Sequence, residues 1–195
     1  AGIRTTSAFV DKFNGNTTDT RGQFYTDGQT KEIVDISSFT DGYAIQKFRN
    51  VDVNGVSGSD KAGNFSDSDF PMFRLADAYL MYAECAVVGK VGDLGTARGY
   101  LNALRTRANA STIATLTADA TGANLILDER AKELHWEGHR RTDLIRFGKF
   151  SGGSYIWPWK GNVAGGAPTQ AFRNLFPIPA TALSSNSKLQ QNPGY

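Results

Sequence analysis

A chain of 195 residues that is 40% hydrophobic and 21% charged is long enough for one domain with a real core, and shows no collagenous or disordered bias. Its formal charge of +2 is nearly balanced, and no lysine or arginine run marks a nucleic-acid or anionic-membrane surface, so nucleic acid is excluded as an expected partner. No segment reaches the roughly 18 apolar residues that span a bilayer, and the lone cysteine, Cys85, excludes an internal disulfide and reads as a small core residue. The start, AGIRTTSAFV, has neither an initiator methionine nor a signal peptide, so the chain reads as cut from something longer.

Residues 1–69 are rich in Gly, Asp, Asn, Ser and Thr, with apolar runs at 23–25, 33–36 and 43–53, a pattern of loops with a few short strands. Asp52, Asn54, Asp60, Asp67 and Asp69 supply oxygen ligands of the kind calcium takes. The EF-hand spacing fails, since Ser57 stands where glycine is needed and Gly63 where the bidentate glutamate belongs. A solvated loop and no cofactor are the expectation.

From residue 70 to 148 the pattern is helical. Pro71 suits a first turn with Asp69 or a neighbour as cap, and Met72, Leu75, Ala76, Tyr79, Tyr82, Ala83, Ala86 and Val87 follow the 3.6-residue period to a stop at Gly89. Asp93 caps a second helix marked by Leu94, Ala97, Leu101, Leu104 and Ala108. Two helices and a tight turn, with small residues at the crossing, resemble one tetratricopeptide-type unit, which has to stack on neighbours because it cannot bury itself. Residues 109–122 read as a small polar loop.

Glu129, Glu133 and Glu137 recur every four residues and would stack three carboxylates on one helix face, with Gly138 ending that helix and Arg140 to Phe147 forming a second, short one. Unpaired carboxylates so spaced repel, so arginine is the expected counter-ion. The predicted ion-pair network comprises Arg105, Arg107, Glu129, Arg130, Glu133, Glu137, Arg140, Asp143 and Arg146. Two catalytic readings compete with this structural one. His135 and His139 share the spacing of an HExxH zinc helix, but Trp136 replaces its glutamate and Gly138 lies between the histidines. Glu133 and Glu137 would serve a hydrolase only by straddling a scissile bond, which adjacent turns of one helix rarely do. No catalytic or metal-ligating residue is expected.

Residues 149–195 gather Tyr155, Trp157, Trp159 and Phe172 among glycines and prolines. Sugars present flat apolar faces to aromatic rings, so Tyr155, Trp157 and Trp159, with Lys160 and Asn162 (and Gln170) as hydrogen-bonding neighbours, form the candidate glycan-binding set. The competing reading has Trp157 or Trp159 folding back to plug the helical core. Leu175 to Tyr195 reads as extended packing that closes the domain, and the three segments together read as one domain.

The spacing E-R-x-x-E-L-x-x-E-G-x-R-x-x-D-L-x-R-x-G from Glu129 to Gly148 resembles the signature of SusD/RagB-type glycan-binding lipoproteins. FPMFRLADAYLMYAECAV (70–87), LNALRTRA (101–108), LFPIP (175–179) and QNPGY (191–195) resemble further motifs of that family in the same order. Asp77 departs from its usual glutamate and Arg141 from its frequent aromatic. The resemblance implies a mainly α, SusD-like fold in the C-terminal portion of a longer protein. It also implies a non-catalytic function: capture of an oligosaccharide or polysaccharide at the outer-membrane cell surface of a Bacteroidetes-type bacterium, for uptake through a TonB-dependent SusC-like porin. The membrane anchor would be a lipid on an N-terminal cysteine outside this chain. Nothing in the resemblance carries over by motif onto Trp157 or Trp159, and a structural half that contributes only the porin interface is the further alternative.

Overall fold

Helices dominate the regular structure, and the apolar period explains where two of them run. The structure, a computed structural model, describes residues 3–195; residues 1 and 2, which begin the expected loop-rich segment, lie outside the described residues. The chain divides into two compact units, Ala1–Arg140 and Arg141–Tyr195.

In the first unit a three-stranded antiparallel sheet in the order β1-β3-β2 is built from β1 (Arg4–Thr5), β2 (Phe24–Tyr25) and β3 (Tyr43–Ile45). Thr5 pairs with Tyr43 and Phe24 with Ile45. The apolar run 33–36 forms no strand, because Asp41 Oδ2 accepts the backbone N–H groups of Val34 and Asp35, both at 2.8 Å, and holds it as a turn. The short helix α1 (Ser7–Val10) and the 3-10 turn Asp11–Phe13 bring Phe9 and Phe13 edge-on to Phe24, with His135 5.1 Å from the Phe9 ring.

Helices α2 (Leu75–Val87) and α3 (Leu94–Arg107) form the expected hairpin. Asp93 caps α3, its Oδ1 accepting Thr96 N–H at 2.7 Å, and Tyr79 stacks flat on Tyr100 with ring centroids 4.3 Å apart. Leu80, Ala83 and Val87 of α2 and Ala97 and Leu101 of α3 are buried; each such leucine contributes roughly 1.5–3 kcal/mol. The face that buries them leaves Leu75, Met81, Cys85 and Val88 outside, so Cys85 is exposed rather than a core residue. The helix starts at Leu75 and not Pro71: Arg74 is extended (φ −150°) and provides no side-chain cap, its guanidinium being drawn onto Glu133 and Glu137 instead.

Helix α4 (Ala120–Glu133) packs on α2 and begins inside the stretch expected as loop, with Asp119 capping Gly122 N–H at 3.0 Å. Gly122 is obligatory there, since a Cβ would stand 1.8 Å from Thr117 O. Arg130 of α4 is buried and pairs with Asp77 of α2 at 3.0 Å.

The second unit begins within α5 (Arg140–Arg146), whose first residue closes the first unit. Its 3-10 turns are Lys160–Asn162 and Ala171–Asn174, and Gly152 bridges Thr169. The last segment is not wholly extended, because α6 (Ala180–Ser185) interrupts it. Two of the sequence motifs meet here. The Gln191 side chain bonds both N–H and C=O of Ile178, Asn192 donates to Phe176 O, and the Tyr195 hydroxyl donates to Leu175 O at 2.8 Å, so QNPGY clasps LFPIP. The spatial break at Arg140 differs from the divisions at 69 and 148 because the loop-rich segment and the helices share one packed unit, Arg21 reaching across to α4.

Candidate functional site

Two constellations hold the polar and aromatic chemistry of the chain, one in each unit. In the first, Glu129 and Glu133 lie on α4, which ends at Glu133; the chain then breaks at Trp136 (φ 68°) and Gly138 (φ 80°), so Glu137 joins the cluster from outside the helix. The three carboxylates are nonetheless brought together, with 2%, 3% and 4% of each residue exposed. Each oxygen is held. Glu129 accepts from Arg21 Nη1 at 2.8 Å and Arg105 Nη1 at 2.6 Å. Glu133 Oε1 accepts from Arg74 at 2.6 Å, and its Oε2 from Arg107 at 2.6 Å and Arg21 at 3.1 Å. Glu137 takes Arg74 Nε and Nη2, both at 2.7 Å, and Lys47 Nζ.

The same cations finish the helix. Arg74 Nη2 and Lys47 Nζ also donate to the Glu133 carbonyl at 2.7 and 2.9 Å, satisfying an orphan acceptor at the negative end of α4. Burial alone would raise the Glu133 carboxyl, but the guanidinium bonds of Arg107 and Arg74 outweigh it and bring it down to about 2. Glu137 is lowered in the same balance, with Arg74 and Lys47 overcoming its burial.

The predicted network is thus brought together only in part. Arg105, Arg107, Glu129, Glu133 and Glu137 share it. Arg130 instead ties α4 to Asp77, Arg140 donates to Leu127 O at 2.9 Å, and Arg146 bonds Asp143 at 2.9 Å within α5. Sequence reasoning missed Asp19, Arg21, Lys47 and Arg74. Arg74 had a signal, as the arginine of the R-L-A motif; the other three are single polar residues in irregular segments, where no period marks them. A cleft of about 370 Å³ opens beside the cluster, lined by Arg21, Lys47, Arg74, Arg107 and His135 among others.

The zinc reading fails on geometry: the break at Trp136 takes His135 and His139 off a common helix, and His135 Nδ1 bonds Lys132 O at 2.8 Å. Among the described residues no group of three His, Cys, Asp or Glu side chains could hold a metal ion. In the aspartate-rich loop Asp52 and Asp60 accept backbone N–H groups of their own turns, and Asp67 accepts the N–H of Ser59 across the loop.

In the second unit an open cleft of about 610 Å³ is lined by Phe150, Trp157, Lys160, Asn162, Thr169, Gln170 and Arg173, with Gly161 and Pro168. The loop that builds it is tightly turned. Trp159 and Asn162 are left-handed (φ 69° and 63°), Ala167 N–H donates to Lys160 O at 2.9 Å, and a Cβ on Gly166 would stand 2.4 Å from Trp157 O. Trp157 is half-buried between Phe150 and Tyr155, with centroids 6.5 and 6.1 Å away, and lines the cleft. Asn162 lines it too. Tyr155 and Trp159 do not. Lys160 lines it but is 2% exposed, and its ammonium already donates to Gly152 O at 2.9 Å and Tyr155 O at 2.7 Å, so its first role is to close the loop. Phe150 and Thr169, inside the aromatic-rich run, and Arg173, directly after it, were missed, since no spacing singles them out there.

A mainly helical fold whose central helix end is locked by guanidinium–carboxylate pairs, followed by a short aromatic unit, is the class these elements define. Residues 4–195 match the sequence model of the SusD family, and the chain belongs to that family. It is 40% identical over 161 residues to the starch-binding protein SusD of Bacteroides thetaiotaomicron, an alignment that takes in 82% of this chain and 27% of SusD. Surface glycan-binding protein A from Bacteroides uniformis superposes with a TM-score of 0.66 at 26% identity, over 95% of this chain and 39% of that one. A SusD superfamily protein from Bacteroides fragilis gives a TM-score of 0.63 at 29% identity, over 98% of this chain and 40% of that one. The chain therefore spans a quarter to two fifths of the length of these relatives.

Proposed function

We propose that the chain is the portion of a SusD-type surface lipoprotein that helps to capture glycan and pass it, uncleaved, to a TonB-dependent SusC-like porin at the outer membrane. The observation that carries this reading is the open cleft of about 610 Å³, where the faces of Trp157 and Phe150 stand beside the hydrogen-bonding side chains of Asn162, Thr169 and Gln170. Flat aromatic faces ringed by neutral polar groups suit a sugar ring, which is apolar on its faces and hydroxylated at its edge. The names of two relatives, a starch-binding protein and a surface glycan-binding protein, support the same class.

Binding without catalysis is favoured by the state of the clustered glutamates. A glycosidase acid needs a raised pKa, whereas Glu133 and Glu137 are both lowered and every oxygen they offer is engaged by a cation. Among the described residues no helix is long and apolar enough to cross a membrane, and Cys85 lies inside α2, so attachment in this reading rests on a lipidated N-terminal cysteine of the full-length type. A partner-facing role for the first unit is favoured by the exposed run of Phe65, Phe70, Met72, Phe73 and Leu75, between 62% and 91% accessible.

Titration of the chain with a panel of soluble glycans, followed by tryptophan fluorescence, tests the proposal. Saturable binding is expected that Trp157→Ala weakens at least tenfold and Trp159→Ala leaves within twofold. Silence across the panel with a folded chain contradicts it.

A further inference from the structure

The charge of this chain is unevenly placed. Between residues 141 and 195 stand Arg141, Arg146, Lys149, Lys160, Arg173 and Lys188 against one carboxylate side chain, Asp143, which gives a formal +5; residues 1–140 then carry −3 within the chain total of +2. The single acid is buried and bonded to Arg146 at 2.9 Å, so it does not neutralise the rest.

Three of those cations converge on the aromatic cleft. Lys160 is a buried residue whose ammonium lies 4.6 Å from the centre of the Trp157 ring, and its two oxygen partners are main-chain carbonyls, with no carboxylate in its hydrogen-bond set. Arg141, behind the lining, has its guanidinium 3.8 Å over Phe176 and 4.8 Å from Phe150, the other aromatic wall, and is likewise held by carbonyls, those of Arg173 at 2.7 Å and Asn174 at 3.3 Å. Arg173 is on the lining itself; its guanidinium packs 5.3 Å over the neighbouring Phe172 ring and, among the described residues, has no carboxylate or hydrogen-bond acceptor. No Asp or Glu lines the cleft. Elsewhere in this chain part-buried cations meet carboxylates, as Arg21 and Arg74 do. Here carbonyl dipoles fix the charges while leaving them uncompensated, and fixed charges beside a low-dielectric aromatic wall act on a ligand with little screening.

We infer that the Trp157 cleft takes an acidic glycan, one whose sugar ring stacks on the aromatic wall while a carboxylate or sulfate group faces Arg173 with Lys160 and Arg141 behind it. The inference rests on reading the cleft as a glycan site and specifies which glycans enter it. Arg173 is the specificity-determining contact because its planar fork matches a carboxylate or sulfate and nothing in the chain occupies it.

The intact chain is titrated calorimetrically at low salt with maltoheptaose as the neutral probe, oligogalacturonate as the carboxylate probe and a sulfated galactan oligosaccharide as the sulfate probe. Variants Arg173→Gln, Lys188→Gln and Trp157→Ala are run alongside. Expected is binding of at least one acidic probe ten or more times tighter than maltoheptaose, weakened at least fivefold by Arg173→Gln and less than twofold by Lys188→Gln, a loss of the same charge away from the cleft. The two acidic probes separate carboxylate from sulfate recognition. Binding of maltoheptaose as tight as of either acidic probe, removed by Trp157→Ala and unmoved by Arg173→Gln, overturns the acidic specificity while leaving the glycan site in place. Equal losses from Arg173→Gln and Lys188→Gln overturn the local contact in favour of overall charge. No binding of any probe to the folded chain overturns both readings.

Discussion

Glu133 sits where three guanidinium groups converge, and its behaviour follows from that position. Its carboxyl is brought to about 2 from an ordinary 4.5, so the unfolded chain holds more protons there. The stability it contributes is complete above pH 4.5 and lost as pH falls through 2. His135 is also depressed, by burial and then by Lys47 beside it, to about 4 from 6.5; its neutral ring contributes fully above pH 6.5 and the contribution is lost as pH falls through 4. Urea denaturation should therefore show stability declining in two stages, about 3 kcal/mol between pH 6.5 and 4 from His135 and a second fall below pH 4.5 from Glu133. Glu133→Gln should cost about 3 to 5 kcal/mol at pH 7, because it strands buried guanidinium groups, and should remove the lower stage. A midpoint that does not move between pH 7 and 4, or a variant as stable as the parent, would contradict this account. The three glutamates were legible in the sequence from their spacing alone. Their full set of partners was not, since Arg21 and Lys47 reach them from over 80 residues away, and no local pattern encodes such a pairing.

At the scale of elements, periodic segments were readable and irregular ones were not. The hairpin of α2 and α3 follows directly from its apolar period and from Asp93 as cap. The start of α4 was hidden, because Ala120, Thr121 and Gly122 are small or polar and resemble the loop before them; what makes them helical is the Asp119 cap and the close approach of Gly122 to Thr117 O. Its end was misplaced for a related reason. Three glutamates at helical spacing extend the pattern past Glu133, but Trp136 takes a left-handed conformation that a helix does not admit. Gly122→Ala should cost at least about 2 kcal/mol, as a Cβ at 1.8 Å from a backbone oxygen forces the helix off its neighbour. A loss under about 0.5 kcal/mol in thermal or urea unfolding would show that the approach is not a constraint.

Across the whole molecule the two units differ in what their charges do. In residues 1–140 cations and carboxylates neutralise one another around the end of α4; in residues 141–195 cations outnumber acids and gather at an aromatic cleft. Family and fold were legible from motifs in five stretches, and the structure gives two of them a physical meaning, since QNPGY and LFPIP clasp each other through Gln191, Asn192 and Tyr195. The cleft was only half legible. Trp157 and Asn162 stood out by residue type, while Phe150, Thr169 and Arg173 join them through the Gly152 to Thr169 bridge and the turns of the loop, which no spacing announces. The central claim is that Trp157 is where glycan meets this chain. The most direct measurement is the indole N–H resonances of the three tryptophans during addition of oligogalacturonate and, separately, maltoheptaose. The account predicts that the Trp157 resonance shifts saturably with at least one of them while Trp136, in the first unit, stays in place; a shift confined to Trp136, or none in a folded chain, would contradict it.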